Sequence, residues 1–355
     1  MYDNKKAIKT ILIIYVISRI VLISMMIFLN HYLIIKYPDI KNVLHLFDNV
    51  HYLNIANNGY TYNYQYAFFP LTPIVIHFLG KIGTLILNQI LTITSAYLLY
   101  IIGKKYLKIN NPVYPAILWL ISPISIFTLM FYSENLFIFL TLYSYYLYKQ
   151  KKHYLILGII IGLSVMTRNL GSMLFFTIFI FMIINCYKHE EKIKNVFITY
   201  IPATIISCLY PIYLYTKTNN FFYFIQVQYQ YWFKVPTNIF RIFFDVTYRI
   251  INDIDPYYVI EYLITFFLMG FILYKIIKDR KNKSFQDLYL YILLTIISIS
   301  SCIRDNGQAL TSFYRFIFGC FPIYYMIKFT RKNIILIITF TIMVAAAFLL
   351  NIYFF

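Results

Sequence analysis

The side chains able to do chemistry are few: Asp48, Glu134, Arg168, Asp245, Arg304, Asp305 and Arg315, with His45 and His51 flanking the first. A carboxylate held within hydrogen-bonding reach of a hydroxyl can take its proton. An arginine fork can pair two oxygens of an anion. Asp48 stands in "LHLFDNVHYLNIANNGYTYNYQYAFFPLTP" (44–73), a stretch crowded with Tyr, Asn and His. Residues 47–57 carry an amphipathic helical pattern with Asp48 in the first turn, where a helix N-terminus stabilises an anion. Such a turn, followed by a ladder of tyrosines, offers flat rings and hydrogen-bonding groups of the kind that hold sugars.

His45, Asp48 and His51 also raise a metal site. Their i, i+3, i+6 spacing fans over roughly 120 degrees of a helix and converges less well than the i, i+4 pair of zinc helices. No metal and no cofactor is therefore expected. His51 lies one turn from Asp48, placed to orient it or to touch a phosphate. The cysteines, Cys186, Cys208, Cys302 and Cys320, show no metal-type spacing and read as small apolar residues.

The elements that must position these groups are apolar. Of 355 residues, 61% are hydrophobic and 12% charged, against about 45–50% and about 25% in ordinary soluble domains. Runs near 20 residues recur, long enough to cross a hydrocarbon core of roughly 30 Å. The expected spans are 10–29, 84–103, 113–131, 134–149, 153–167, 171–187, 196–215, 257–277, 287–303, 312–328 and 333–353, with a shorter dip at 68–80. The first follows Lys5, Lys6 and Lys9 without a small-residue cleavage site, so it reads as a retained helix.

If 68–80 dips without crossing, "DNKKAIK", "GKKYLKINN", "KQKKH", "YKHEEKIKN", "KIIKDRKNK" and "KFTRKN" share one side. The positive-inside rule makes that side cytoplasmic and yields about eleven crossings. The net charge of +18 then belongs to membrane topology and not to a nucleic-acid partner. The chemistry-bearing residues fall on the opposite, extracytoplasmic rim. The chain reads as one all-α polytopic domain (1–355), with a first outer loop at 30–83 holding juxtamembrane helices and a second at 216–256. No internal repeat is visible.

"FDNVHYLNIANNGYTYNYQYAFFPLTP" resembles the first luminal loop of the PIG-V-type mannosyltransferases. Their usual form is a Trp-Asp pair, a "hFLxIAxxGY" core and an "xAFFPLxP" close; Phe47 stands here in place of the Trp. "SPISIFTLMFYSENLF" (122–137), "GLSVMTRNLG" (162–171), "FYRFIFGCFP" (313–322) and the "SRI" of the first helix agree in order. The resemblance implies the GT-C membrane glycosyltransferase fold, with a polyprenyl-phosphate sugar donor, typically dolichyl-phosphate mannose. It also implies inverting transfer to a glycolipid, lipid-linked glycan or glycoprotein. No nucleotide-binding glycine loop is present, and the rim faces away from cytoplasmic nucleotide sugars.

By that resemblance Asp48 is the catalytic base. Arg315, then Arg168 and Arg304, are placed to hold the leaving phosphate. Arg19, mid-span in the first helix, is costly there and expected to have a specific partner or to touch the phosphate. His51, Tyr52, Tyr60, Glu134, Asn169 and Tyr314 are expected to line the substrate, Glu134 by orienting the acceptor or pairing an arginine. Asn88 and Gln89 read as glue between helices. The competing reading is a transporter or flippase of lipid-linked sugars, favoured by Arg19 and the Pro-bounded dip. The expected location is a cell membrane with the site outside, or the endoplasmic reticulum membrane in a eukaryote.

Overall fold

In the computed structural model, residues 4–36, 47–232, 234–238, 256–300, 302–304, 312–328 and 330–349 are described, with isolated positions between 241 and 251. His45, Asp245 and Asp305 lie outside them. The described chain is dominated by helices: α1 (Asn4–Lys36), α2 (Asp48–Asn58), α3 (Leu71–Lys105), α4 (Tyr114–Leu120), α5 (Glu134–Gln150), α6 (Tyr154–Thr167) and α7 (Gly171–Tyr187). They continue with α8 (Ile193–Thr218), α9 (Tyr223–Gln230), α10 (Pro256–Lys278), α11 (Gln286–Ile299), α12 (Phe313–Phe318), α13 (Ile323–Met326) and α14 (Arg331–Leu349).

Among the described residues three helices are long and apolar enough to cross a bilayer: α1 over Asn4–Phe28, α3 and α8. Two shorter apolar helices, α6 and α7, accompany them. Large apolar side chains stand exposed on several helices, among them Phe28 at 71%, Ile82 at 76% and Phe267 at 73%. A soluble monomer rarely presents so much apolar surface. On a membrane helix such residues face lipid.

Two expected spans are not single helices. The run 113–131 gives only α4, then a 3-10 turn at Ser125–Leu129 and an extended Met130. Pro123 lies between these pieces and has no N–H to continue a ladder. The run 312–328 likewise splits into α12 and α13 around Gly319 and Pro322. The expected dip and the helix after it are one long element broken at Gly80, where φ is 65° and ψ 178°. The arm before that break lies against α2, with Ile76 buried beneath Tyr52, Leu53 and Ala56. His77 Nδ1 lies 2.8 Å from the Ala56 carbonyl and fixes the same contact.

The all-α expectation omits one feature. Lys234–Pro236 (β1) and Cys302–Arg304 (β2) form an antiparallel ribbon pairing Lys234 with Arg304. The expected span 287–303 accordingly ends as a helix at Ile299.

Helix α6 packs on α8 through two glycines one turn apart. A Cβ on Gly158 would meet Pro202 Cγ at 2.8 Å and the Thr199 carbonyl closer still, and one on Gly162 would meet Ile206 Cβ at 2.7 Å. Small residues spaced in this way let membrane helices approach at backbone distance. At the far end of α5 from Glu134, Lys149 pairs with the buried Asp287 of α11 at 2.5 Å, and Tyr145 donates to the same carboxylate at 3.0 Å. The charged groups are therefore not confined to one rim.

Candidate active site

Four chain segments meet where α2 begins, α5 begins, α6 ends and α12 runs. Phe47, immediately before α2, has φ 52° and ψ −137°, a costly backbone for a residue with a Cβ. Asp48 follows in the first turn. Glu134 opens α5 behind its N-cap residue Ser133. Arg168 ends α6 in extended conformation, and Arg315 sits within the short α12.

Their side chains form one ion-pair chain. Arg315 Nη2 donates to Asp48 Oδ2 at 2.7 Å, and Arg315 Nε donates to Glu134 Oε1 at 2.5 Å. Arg168 Nη1 donates to the same Glu134 oxygen at 2.6 Å. Glu134 is fully buried, whereas 24% of the Asp48 side chain is exposed, so Asp48 is the carboxylate that a ligand can reach. Glu134 Oε2 is buried and has no hydrogen-bond partner among the described residues. Arg315 is held over the rings of Phe127 and Tyr132, its guanidinium carbon 4.9 and 4.7 Å from their centroids. Arg168 lies over Phe316 at 5.2 Å. These ring faces favour a cation and fix its plane.

Beside Asp48 is an aromatic wall. The His51 ring packs 4.8 Å from Phe68, 5.4 Å from Tyr64 and 5.7 Å from Trp232. Trp232 Nε1 donates to the Tyr64 carbonyl at 3.2 Å, which ties this wall to the start of the second loop. Burial pushes the His51 imidazole below its ordinary value, against the opposing pull of the Asp48 carboxylate. Tyr52 is buried next to the ion pairs, and burial pushes its hydroxyl up to about 12. It stays a neutral phenol at physiological pH.

The structure thus brings together Asp48, Glu134, Arg168 and Arg315, with His51 and Tyr52 adjacent. The remaining candidates make other contacts. Asn169 is exposed at the α6–α7 corner, where its carbonyl accepts from Ser172. Tyr60 stacks on Tyr66 at 5.0 Å and donates its hydroxyl to the Phe68 carbonyl at 2.7 Å, a contact that holds the loop. Tyr314 points into the core, edge-on to Phe340 at 5.4 Å. Arg304 is placed only by its backbone in the ribbon, its side chain lying outside the described atoms. Arg19 is buried in α1 and donates to Thr128 Oγ1 and, at 3.5 Å, to Gln89 Oε1, so it has specific neutral partners.

Phe127, Tyr132, Phe316 and Trp232 were not singled out by residue type, since aromatics make up 21% of the chain. Nor was Asn49, which is fully buried in α2. Among the described residues no group of three His, Cys, Asp or Glu side chains is arranged to hold a metal ion.

These features define a helical membrane protein with a carboxylate–arginine centre at the ends of its helices. Residues 71–215 match the family described as dolichyl-phosphate-mannose-protein mannosyltransferase. The matched region covers less than half of the chain and includes Glu134 and Arg168. It overlaps only the last three residues of the 47–73 block of the PIG-V-type resemblance and contains the 122–137 and 162–171 blocks. No curated protein matches the chain.

Proposed function

We propose that this protein is an inverting GT-C mannosyltransferase. It moves mannose from a polyprenyl-phosphate donor, dolichyl phosphate in type, to a hydroxyl of a glycolipid, lipid-linked glycan or glycoprotein on the extracytoplasmic face of the membrane. One observation carries the reading: Arg315 pairs a reachable carboxylate, Asp48, with a buried one, Glu134, which also holds Arg168. A base and two anchored cations are what transfer from a lipid phosphate requires. The family matched over 71–215 uses the same donor in its description.

In the reaction Asp48 accepts the proton of the acceptor hydroxyl as that oxygen attacks the anomeric carbon. The bond from that carbon to the phosphate oxygen breaks, and its electron pair leaves on the phosphate. Arg315 and Arg168 stabilise the developing charge, with Arg304 as a further cation. The phosphate competes for the fork that holds Asp48, so each bond it takes releases a carboxylate oxygen for the acceptor. Glu134 keeps both guanidinia in place. His51 and Asn169 flank the acceptor, while Tyr52, Tyr60 and Tyr314 support the site from its packed side. No metal or cofactor takes part in this scheme. The eleven crossings and the PIG-V-type assignment belong to the same proposal.

The test is transfer of label from radiolabelled dolichyl-phosphate mannose, by the purified protein in detergent, to lipid and protein extract from its source. Wild type should label an acceptor, and Asp48→Asn should lose about 10²-fold or more, the usual contribution of a general base. Equal transfer by the two proteins would remove Asp48 from the mechanism. Absence of transfer from any polyprenyl-phosphate sugar would remove the donor class.

A further inference from the structure

Between α4 and α5 the backbone is irregular, with one 3-10 turn at Ser125–Leu129 and an extended Met130. Irregular backbone inside a membrane protein must have its polar groups met by protein, because lipid offers none. Here side chains from three helices meet them. The Thr128 carbonyl accepts from Gln89 Nε2 at 2.9 Å and Asn135 Nδ2 at 3.1 Å. The Met130 carbonyl accepts from Asn88 Nδ2 at 2.7 Å. The Phe131 N–H donates to Asn49 Oδ1 at 2.8 Å. Arg19 reaches from α1 to the Thr128 hydroxyl. Gln89 also joins helices, its Oε1 accepting from the Tyr15 hydroxyl of α1 at 3.2 Å, but Asn88 and Gln89 both serve beyond that expected role by donating to loop carbonyls.

This loop carries the site. Phe127 and Tyr132 are the two rings against which the Arg315 guanidinium lies, and Glu134 is three residues beyond Phe131. Asn49 adjoins Asp48 on α2 and is fully buried. Its amide is thus a direct strut between the helix bearing the proposed base and the loop that holds the proposed phosphate-binding arginine.

Resting on the proposed transfer reaction, we infer that Asn49 is a positioning residue: its hydrogen bond to the Phe131 N–H sets the place of Asp48 relative to Arg315. Losing it leaves a buried N–H unmet and lets α2 shift against the loop. A misplacement of about 1 Å costs on the order of 10²-fold in rate. The arginines keep their ring cradle and their Glu134 partner, so donor binding is spared.

The experiment compares Asn49→Leu and, as a control on the exposed face of α2, Asn57→Leu. Two readouts are taken: kcat and donor KM for mannosyl transfer, and carbodiimide coupling to Asp48, quantified by peptide mass spectrometry. The second needs no turnover, so it stands even if the protein uses another donor. The expected result for Asn49→Leu is kcat lower by roughly 10- to 100-fold, donor KM within twofold, and faster coupling to an Asp48 no longer shielded by Arg315. Asn57→Leu should match wild type. If Asn49→Leu does not yield a monodisperse protein, Asn49→Ala, which removes the same accepting oxygen, is read in the same way. Unchanged kcat and unchanged coupling would overturn the inference, as would a rise in donor KM as large as the fall in kcat. If wild type transfers no mannose while coupling responds as described, the donor assignment fails and the positioning role stands.

Discussion

Removing the charge of Glu134 tests the site through its energetics. Its Oε1 accepts from both guanidinia, at 2.6 Å from Arg168 and 2.5 Å from Arg315, and the side chain is wholly buried. Together with Asp48 the centre holds two carboxylates and two cations, so it is balanced. Glu134→Gln leaves Arg168 and Arg315 facing Asp48 alone. Breaking a buried pair in this way costs about 3–5 kcal/mol, because the stranded charge keeps its desolvation penalty. Arg168→Gln costs less, about 1.5–3 kcal/mol for one lost hydrogen bond to a charged group, since Glu134 retains Arg315. In the double variant the second change removes a cation that the first had stranded. The two losses should therefore fall short of additivity by about 2 kcal/mol, whereas independent sites add within about 0.5 kcal/mol. Equilibrium unfolding in mixed micelles, titrated with a denaturing detergent and followed by tryptophan fluorescence, measures all four proteins. Additive losses would refute the shared-oxygen arrangement, and with it the view that Glu134 anchors both arginines.

Three further outcomes are expected. Gly162→Val should destabilise the protein by about 1–3 kcal/mol in the same unfolding assay, since its side chain would collide with Ile206; Gly270→Ala, where nothing lies within 4 Å, should be neutral or stabilising. The lowered pKa of His51 means the unfolded chain binds its proton more readily than the folded one. The stability from keeping His51 neutral is full above the ordinary imidazole value of about 6.5 and is lost as pH falls through the folded value. Unfolding curves between pH 7.5 and 5 should show this decline, and His51→Asn should flatten it. Asp287→Asn should cost about 1.5–3 kcal/mol of stability, with donor KM unchanged, because the Lys149 pair lies at the far end of α5 from the site.

Asp48, Glu134, Arg168 and Arg315 were legible because each is a charge in a chain with few of them, placed at the end of an apolar run. What joins them was not. Residue type leaves open whether Glu134 meets Arg168, Arg315 or a substrate, and only packing shows that one oxygen meets both guanidinia. Arg19 was legible as an anomaly, but residue type did not show that the group it meets is the Thr128 hydroxyl. Helix limits failed where proline and glycine break an apolar run. In 113–131 and 312–328 hydropathy persists through Pro123 and Pro322 while the hydrogen-bond ladder does not.

Those two breaks have the same consequence. A continuous helix over 113–131 would pair the Phe131 N–H within its own ladder and leave the Asn49 oxygen nothing to accept from it. A continuous helix over 312–328 would carry Arg315 on a rigid span. Instead one break leaves Phe127 and Tyr132 on a loop whose polar groups are met by its neighbours, and the other leaves Arg315 on a short helix between those rings. The interruptions that defeat span counting are thus the places where the fold frees backbone to build a charged centre inside an apolar protein. In such a chain, apolar runs that contain an internal proline next to a lone charge are the first places to look for chemistry.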